Sequence, residues 1–110
     1  MIGSQRRVFK GIPVCPGLAS GRLIPVTWPE TGRDSLRDII AFVPDLRTDL
    51  VILLTQCVGI VARTGGALSH GAILVRELNI PCAIIDIPKK IADERTAVLL
   101  DGGRGTLEMC

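Results

Sequence analysis

The sequence predicts an α/β domain, rich in β-structure, with one prominent helix. Three observations carry this. Short apolar runs bounded by polar, Gly or Pro residues recur at 39–43, 49–54, 57–62, 82–87 and 96–100. Runs of that length and composition read as strands. One stretch, Ala67 to Leu78, instead spaces its apolar residues at helical intervals. Between that stretch and the preceding run stands Gly65-Gly66, so a strand turns sharply before the helix begins.

The elements follow in order. Val8 to Val26 carries Pro13, Pro16, Gly17, Gly21 and Pro25 among apolar residues, which suits short strands and tight turns rather than a helix. Trp28 to Asp38 is polar and reads as a loop, with a helical turn near Ser35 to Ile40. Ile39 to Val43 is a short strand ended by Pro44-Asp45. Asp49 to Leu54 is a continuous apolar run and predicts a strand covered on both faces. Cys57 to Ala62 predicts another. In the helix, Ser69 is a fitting N-cap, and Ala67, Gly71, Leu74, Val75 and Leu78 share one face. Asn79 and Pro81 stop it. Cys82 to Ile87 is a further strand, and Lys89 to Glu94 a short helix or turn. Thr96 to Leu100 and Gly105 to Met109 form a closing hairpin around Asp101-Gly102-Gly103-Arg104.

With 110 residues, the chain reads as a single domain, 1–110. Its hydrophobic fraction is 47% but its aromatic fraction only 3%, so the core must be aliphatic. A net charge of +2 is too small to suggest nucleic acid or an anionic membrane, and the scarcity of aromatics leaves no base-stacking surface. No apolar run spans a bilayer and no signal-peptide core follows Arg6-Arg7, which predicts a cytoplasmic protein. Cys15, Cys57, Cys82 and Cys110 form no Cys-x-x-Cys pair. With one histidine beside them they predict no metal site, and they read as buried or incidental thiols. The apolar stretch around residues 50 to 62 would favour self-association if exposed.

His70 is the only histidine. It opens the predicted helix just after a diglycine turn, where the positive end of the helix dipole disfavours imidazolium and favours added negative charge. A ring there is suited to accept and donate a phosphoryl group. Thr64, Gly65, Gly66, Ser69 and Gly71 would surround the phosphate, through amides, hydroxyls and the absence of obstructing side chains. Arg63 and Arg76 are candidate accessory cations, though Arg76, six residues past His70, lies off its helical face. A lone histidine at a helix start is as a rule a cap or a solvated side chain, so spacing by itself does not assign the chemistry.

The motif Thr64-Gly65-Gly66-x-x-Ser69-His70-Gly71-Ala72-Ile73-x-x-Arg76-Glu77-x-x-Ile80-Pro81 resembles the phosphohistidine signature of the mobile domain of phosphoenolpyruvate-utilising enzymes. That domain occurs in phosphoenolpyruvate synthase, pyruvate phosphate dikinase, enzyme I of the sugar phosphotransferase system and rifampicin phosphotransferases. Gly11-Ile12-Pro13-Val14-Cys15-Pro16-Gly17-x-x-Ser20-Gly21 is similar to the family's opening strands, and Thr96 to Leu107 to its closing hairpin. The resemblance implies a swivelling β/β/α domain whose His70 is phosphorylated and shuttles the group between sites on other domains. It implies an ATP-grasp nucleotide-binding domain, a phosphoenolpyruvate- or pyruvate-binding domain, or both, as partners. Magnesium and ATP are expected on a partner and no cofactor on this chain, which at its length is a component of a phosphotransferase rather than a complete enzyme.

Three departures from the family pattern stand out. Only Thr55-Gln56 separates the runs 49–54 and 57–62, so the segment, often helical, between the family's two central strands is expected to be missing. Leu68 occupies the place of a regulatory threonine in plant-type dikinases, and Asp86 replaces a common glycine. The missing segment motivates an alternative, a non-catalytic regulatory or interaction module that keeps the fold. A swivelling domain serving an aconitase-like enzyme is a third reading, which the complete Thr-Gly-Gly-x-x-Ser-His motif disfavours.

Overall fold

The structure, a computed structural model, describes residues 7–26 and 37–109. Eight strands and three helices appear among them: β1 (Arg7–Lys10), β2 (Ile12–Cys15), β3 (Leu18–Pro25), β4 (Ile39–Val43), α1 (Thr48–Leu53), β5 (Gly59–Ala62), α2 (His70–Glu77), β6 (Cys82–Ile84), α3 (Lys89–Ala92), β7 (Ala97–Asp101) and β8 (Thr106–Met109). The sheet order is β1-β8-β7-β3-β4-β5-β6-β2. The central four strands, β3 to β6, run parallel to one another, and β7, β8, β1 and β2 pair antiparallel around them.

The two end strands of this order, β1 and β2, are consecutive in the chain with Gly11 alone between them. One bent strand therefore pairs with β8 through its first half and with β6 through its second, joining the ends of the sheet. The bend is tight: the Gly11 amide donates to the Gly105 carbonyl (2.8 Å), and a Cβ at residue 11 would lie 2.0 Å from the Ile84 carbonyl oxygen.

Apolar residues of the parallel strands alternate between two cores. Ala41, Val43, Ile60, Ala62, Cys82 and Ile84 join the cluster beneath α1 and α2. Ile40, Phe42, Val61, Ala83 and Ile85 join the cluster on the opposite face, with residues of β3, β7, β8 and α3. A strand covered on both faces reads as a continuous apolar run, which is why β4, β5 and β6 stand out in the sequence. β5 begins at Gly59 and β6 ends at Ile84, both shorter than their apolar runs.

The run 49–54 is the main correction. It forms α1, not a strand. Parallel β4 and β5 need a crossover between them, and α1 supplies it. Its buried residues Leu50, Val51 and Leu54 fall at helical spacing, with Ile52 turned to solvent. Asp49 supports the first turn by accepting from the Leu50 amide (2.9 Å) and pairing with Arg47 (2.9 Å). The helix between the central strands is thus present, not missing. The stretch 50–62 is likewise not an exposed apolar face: Leu50, Val51, Leu54, Cys57 and Gly59 to Ala62 are buried, which removes the basis for expecting self-association there.

The helix α2 matches its sequence signals. Ser69 caps it through an oxygen that accepts from the Ala72 amide (3.2 Å). Asn79 takes a left-handed φ of 57°, and the amides of Asn79 and Ile80 donate to the carbonyls of Arg76 and Val75, the paired bonds of a Schellman stop. The buried face is Gly71, Ala72 and Val75, with Leu74 partly covered, whereas Leu78 is exposed. The short helix α3 and the β7–β8 hairpin fall where expected. Of the predicted loop Trp28 to Asp38, residues 28–36 lie outside the described residues.

Candidate functional site

The site begins where β5 ends. The Arg63 amide donates to the Val43 carbonyl (2.9 Å), and the Thr64 amide and hydroxyl both donate to the Pro44 carbonyl (3.1 and 3.0 Å). These bonds tie the start of the loop to the end of β4. Gly65 then takes φ +138°, a conformation that side chains rarely adopt. The Ser69 amide donates to the Gly66 carbonyl (3.1 Å), closing a turn directly before the helix.

His70 is the first residue of α2 and is exposed. Ser69 accepts from the Ala72 amide, which leaves its hydroxyl proton free to donate elsewhere. The amides of His70 and Gly71 have no acceptor within the helix. An exposed ring therefore stands beside amide donors and a hydroxyl at the positive end of an eight-residue helix.

The three site glycines do different work. A Cβ on Gly71 would lie 1.7 Å from the Leu46 carbonyl oxygen, so Gly71 lets the first turn of α2 pack on the backbone leading into α1. Gly65 answers to its backbone angle. Gly66 has neither constraint: its φ is not in the left-handed region and a Cβ would meet nothing within 4 Å. Nothing among the described residues requires a glycine at 66.

The two arginines also separate. Arg76 is partly buried, and its Nε donates to the Val14 carbonyl (2.8 Å) while Nη2 donates to the Ala67 carbonyl. Its guanidinium clamps the glycine turn to β2. The sequence held one hint of this, the position of Arg76 off the His70 face. Arg63 pairs with Asp86 through Nε (3.2 Å), both side chains being exposed. Asp86 thus faces the cation at the start of the loop. Leu46, whose backbone lies beneath Gly71, is a contributor that the motif did not reveal.

Three thiols underlie this region. Cys15, Cys57 and Cys82 are free and buried. Burial pushes the Cys57 thiol up to about 11 and the Cys82 thiol up to about 12, and raises that of Cys15.

The sequence profile of the PEP-utilising enzyme mobile domain matches residues 36–105, more than half of the chain. The chain belongs to this family. A probable phosphoenolpyruvate synthase of Methanothermobacter thermautotrophicus is 34% identical over 106 residues, covering 94% of this chain and 15% of the relative. The phosphoenolpyruvate-dependent phosphotransferase system protein of Escherichia coli is 37% identical over 86 residues, 76% of this chain and 10% of the relative. The mobile domain thus spans a small part of the curated relatives it matches, and those proteins carry further chain around it.

Among solved structures, the N-terminal domain of Enzyme 1 – Nitrogen is 33% identical with a TM-score of 0.56, over 74% of this chain and 32% of that one. Aconitase X of Thermococcus kodakaraensis matches with a TM-score of 0.68 at 19% identity, over 94% of this chain and 98% of that one. The second likeness is one of fold. It shows that the same architecture is found in that protein.

Proposed function

We propose that this domain is a phosphoryl carrier. The observation that carries the reading is the exposure of the chain's only histidine as the first residue of α2, within the mobile-domain motif. The lone pair of His70 Nε2 forms a P–N bond while the P–O bond to the donor's leaving group breaks. In the second half-reaction the P–N bond breaks as an acceptor oxygen takes the phosphoryl group. The His70 and Gly71 amides and the Ser69 hydroxyl donate to phosphate oxygens, and the bare backbone at Gly65 and Gly66 allows close approach. Thr64 serves by anchoring the loop, its hydroxyl proton being engaged by Pro44. Arg76 holds the turn, and Arg63 contributes charge when it leaves Asp86.

Donor and acceptor sit on partner domains or chains: an ATP-grasp nucleotide-binding domain, a phosphoenolpyruvate- or pyruvate-binding domain, or both. Magnesium belongs, in this reading, with the nucleotide on the partner. The reading of a non-catalytic module drew its motive from a missing helix, and α1 removes that motive.

The test is labelling with phosphoenolpyruvate, and separately with ATP labelled at the β or γ position, in extract of the source cells. Acid-labile, base-stable label is expected on the wild type and none on His70→Ala, with circular dichroism showing both folded. Label retained by the variant would sink the assignment.

A further inference from the structure

Two large apolar side chains stand in solvent beside His70. Leu68, two residues before it, is 86% exposed, and Ile73, three residues after it in α2, is 45% exposed. Helical residues three apart are neighbours on one face, so Ile73 adjoins the ring. Neither residue belongs to a core cluster. From Thr64 to Ile73 there is no Asp, Glu, Lys or Arg. This stretch of the chain therefore presents two large apolar side chains and, apart from the imidazole, no ionisable side chain of its own.

The size of this patch says what covers it. Two aliphatic side chains offer on the order of 200 Å² of apolar area. A lasting interface buries roughly 800 Å² per partner. The patch is too small to hold a second copy of the chain as a stable dimer, and its size suits a contact that forms and breaks at each transfer.

We infer that Leu68 and Ile73 are positioning residues that seat His70 in the mouth of a partner's phosphoryl site, against an apolar rim. This rests on the carrier reading above. Closure of that rim excludes water while the P–N bond forms or breaks, which keeps hydrolysis from competing with transfer.

The experiment compares two phosphoryl donors. Phosphoramidate, a small reagent, needs no docking surface; extract of the source cells with ATP or phosphoenolpyruvate does. Phosphohistidine formation is measured by intact mass for wild type, Leu68→Ser, Ile73→Ser and Leu68→Met. The ratio of extract-driven to phosphoramidate-driven rate is expected to fall at least tenfold for Leu68→Ser, several-fold for Ile73→Ser, and to hold within about twofold for Leu68→Met. An unchanged ratio in both serine variants would overturn the inference. So would a wild type that phosphoramidate labels and extract does not. A wild type labelled by neither donor would instead overturn the carrier reading.

Discussion

At residue 66 the chain has a glycine that its own fold does not require, and at residue 71 one that it does. The contrast yields a prediction that separates stability from function. Gly66→Ala adds a methyl in open space, and its stability in urea should stay within about 0.5 kcal/mol of the wild type. Under the proposed carrier function its labelling rate should fall, because the methyl would stand in the path of the phosphate or its donor. Gly71→Ala behaves oppositely. Alanine in a helix gains up to about 1 kcal/mol over glycine, but here its Cβ meets the Leu46 carbonyl at 1.7 Å. Backbone cannot yield cheaply, and overpacking costs about 1–3 kcal/mol or more, so the variant should be destabilised. Equal urea midpoints for the two variants would contradict this division. The sequence motif shows both glycines as one signature. Only the backbone of Leu46, twenty-five residues away in the chain, tells them apart.

At the scale of the element, α2 was legible and α1 was not, for a physical reason. The second helix announces both ends, with Ser69 as a side-chain cap and Asn79 as a left-handed stop. The first has Arg47 at its N-cap position, with no side-chain cap bond. Its apolar residues run together, and a short apolar run does not distinguish a buried strand from a helix. What decides is the parallel pairing of β4 with β5, a tertiary fact. The cap of α2 can be separated from its chemistry. Ser69→Ala removes the acceptor of the Ala72 amide and should cost about 1 kcal/mol. Ser69→Asp keeps an acceptor and favours the helix dipole, so it should restore stability. Yet it places a carboxylate where the proposed carrier function puts the phosphoryl group, so its labelling should be lower than that of Ser69→Ala. Urea denaturation and labelling rates on the same two variants check both halves.

At the scale of the whole molecule, the joining of β1 and β2 around Gly11 could not be read from local pattern, because β1 pairs with β8 at the far end of the chain. The short strands themselves were legible from their alternation with Gly and Pro; their closure into one sheet was not. Closure places Cys15 and Cys82 opposite each other on β2 and β6, and both lie with Cys57 in the cluster beneath the helices. Global unfolding therefore exposes three thiols together. An unfolded thiol ionises near pH 8.5, whereas Cys57 and Cys82 are held up to about 11 and about 12. Because the folded values are raised, the stabilisation is fully present below the unfolded value and is lost as pH rises from about 8.5 through about 11 for Cys57 and about 12 for Cys82. There the unfolded chain releases protons that the folded chain keeps, at up to about 1.4 kcal/mol per pH unit for each thiol. The urea midpoint should fall steeply between pH 8 and pH 10, before lysine titration intervenes. Cys82→Ala should lower the midpoint at pH 7 through lost packing, and it should also flatten the descent above pH 8.5. A variant with the same slope as the wild type would show that Cys82 does not govern the alkaline limit of the fold.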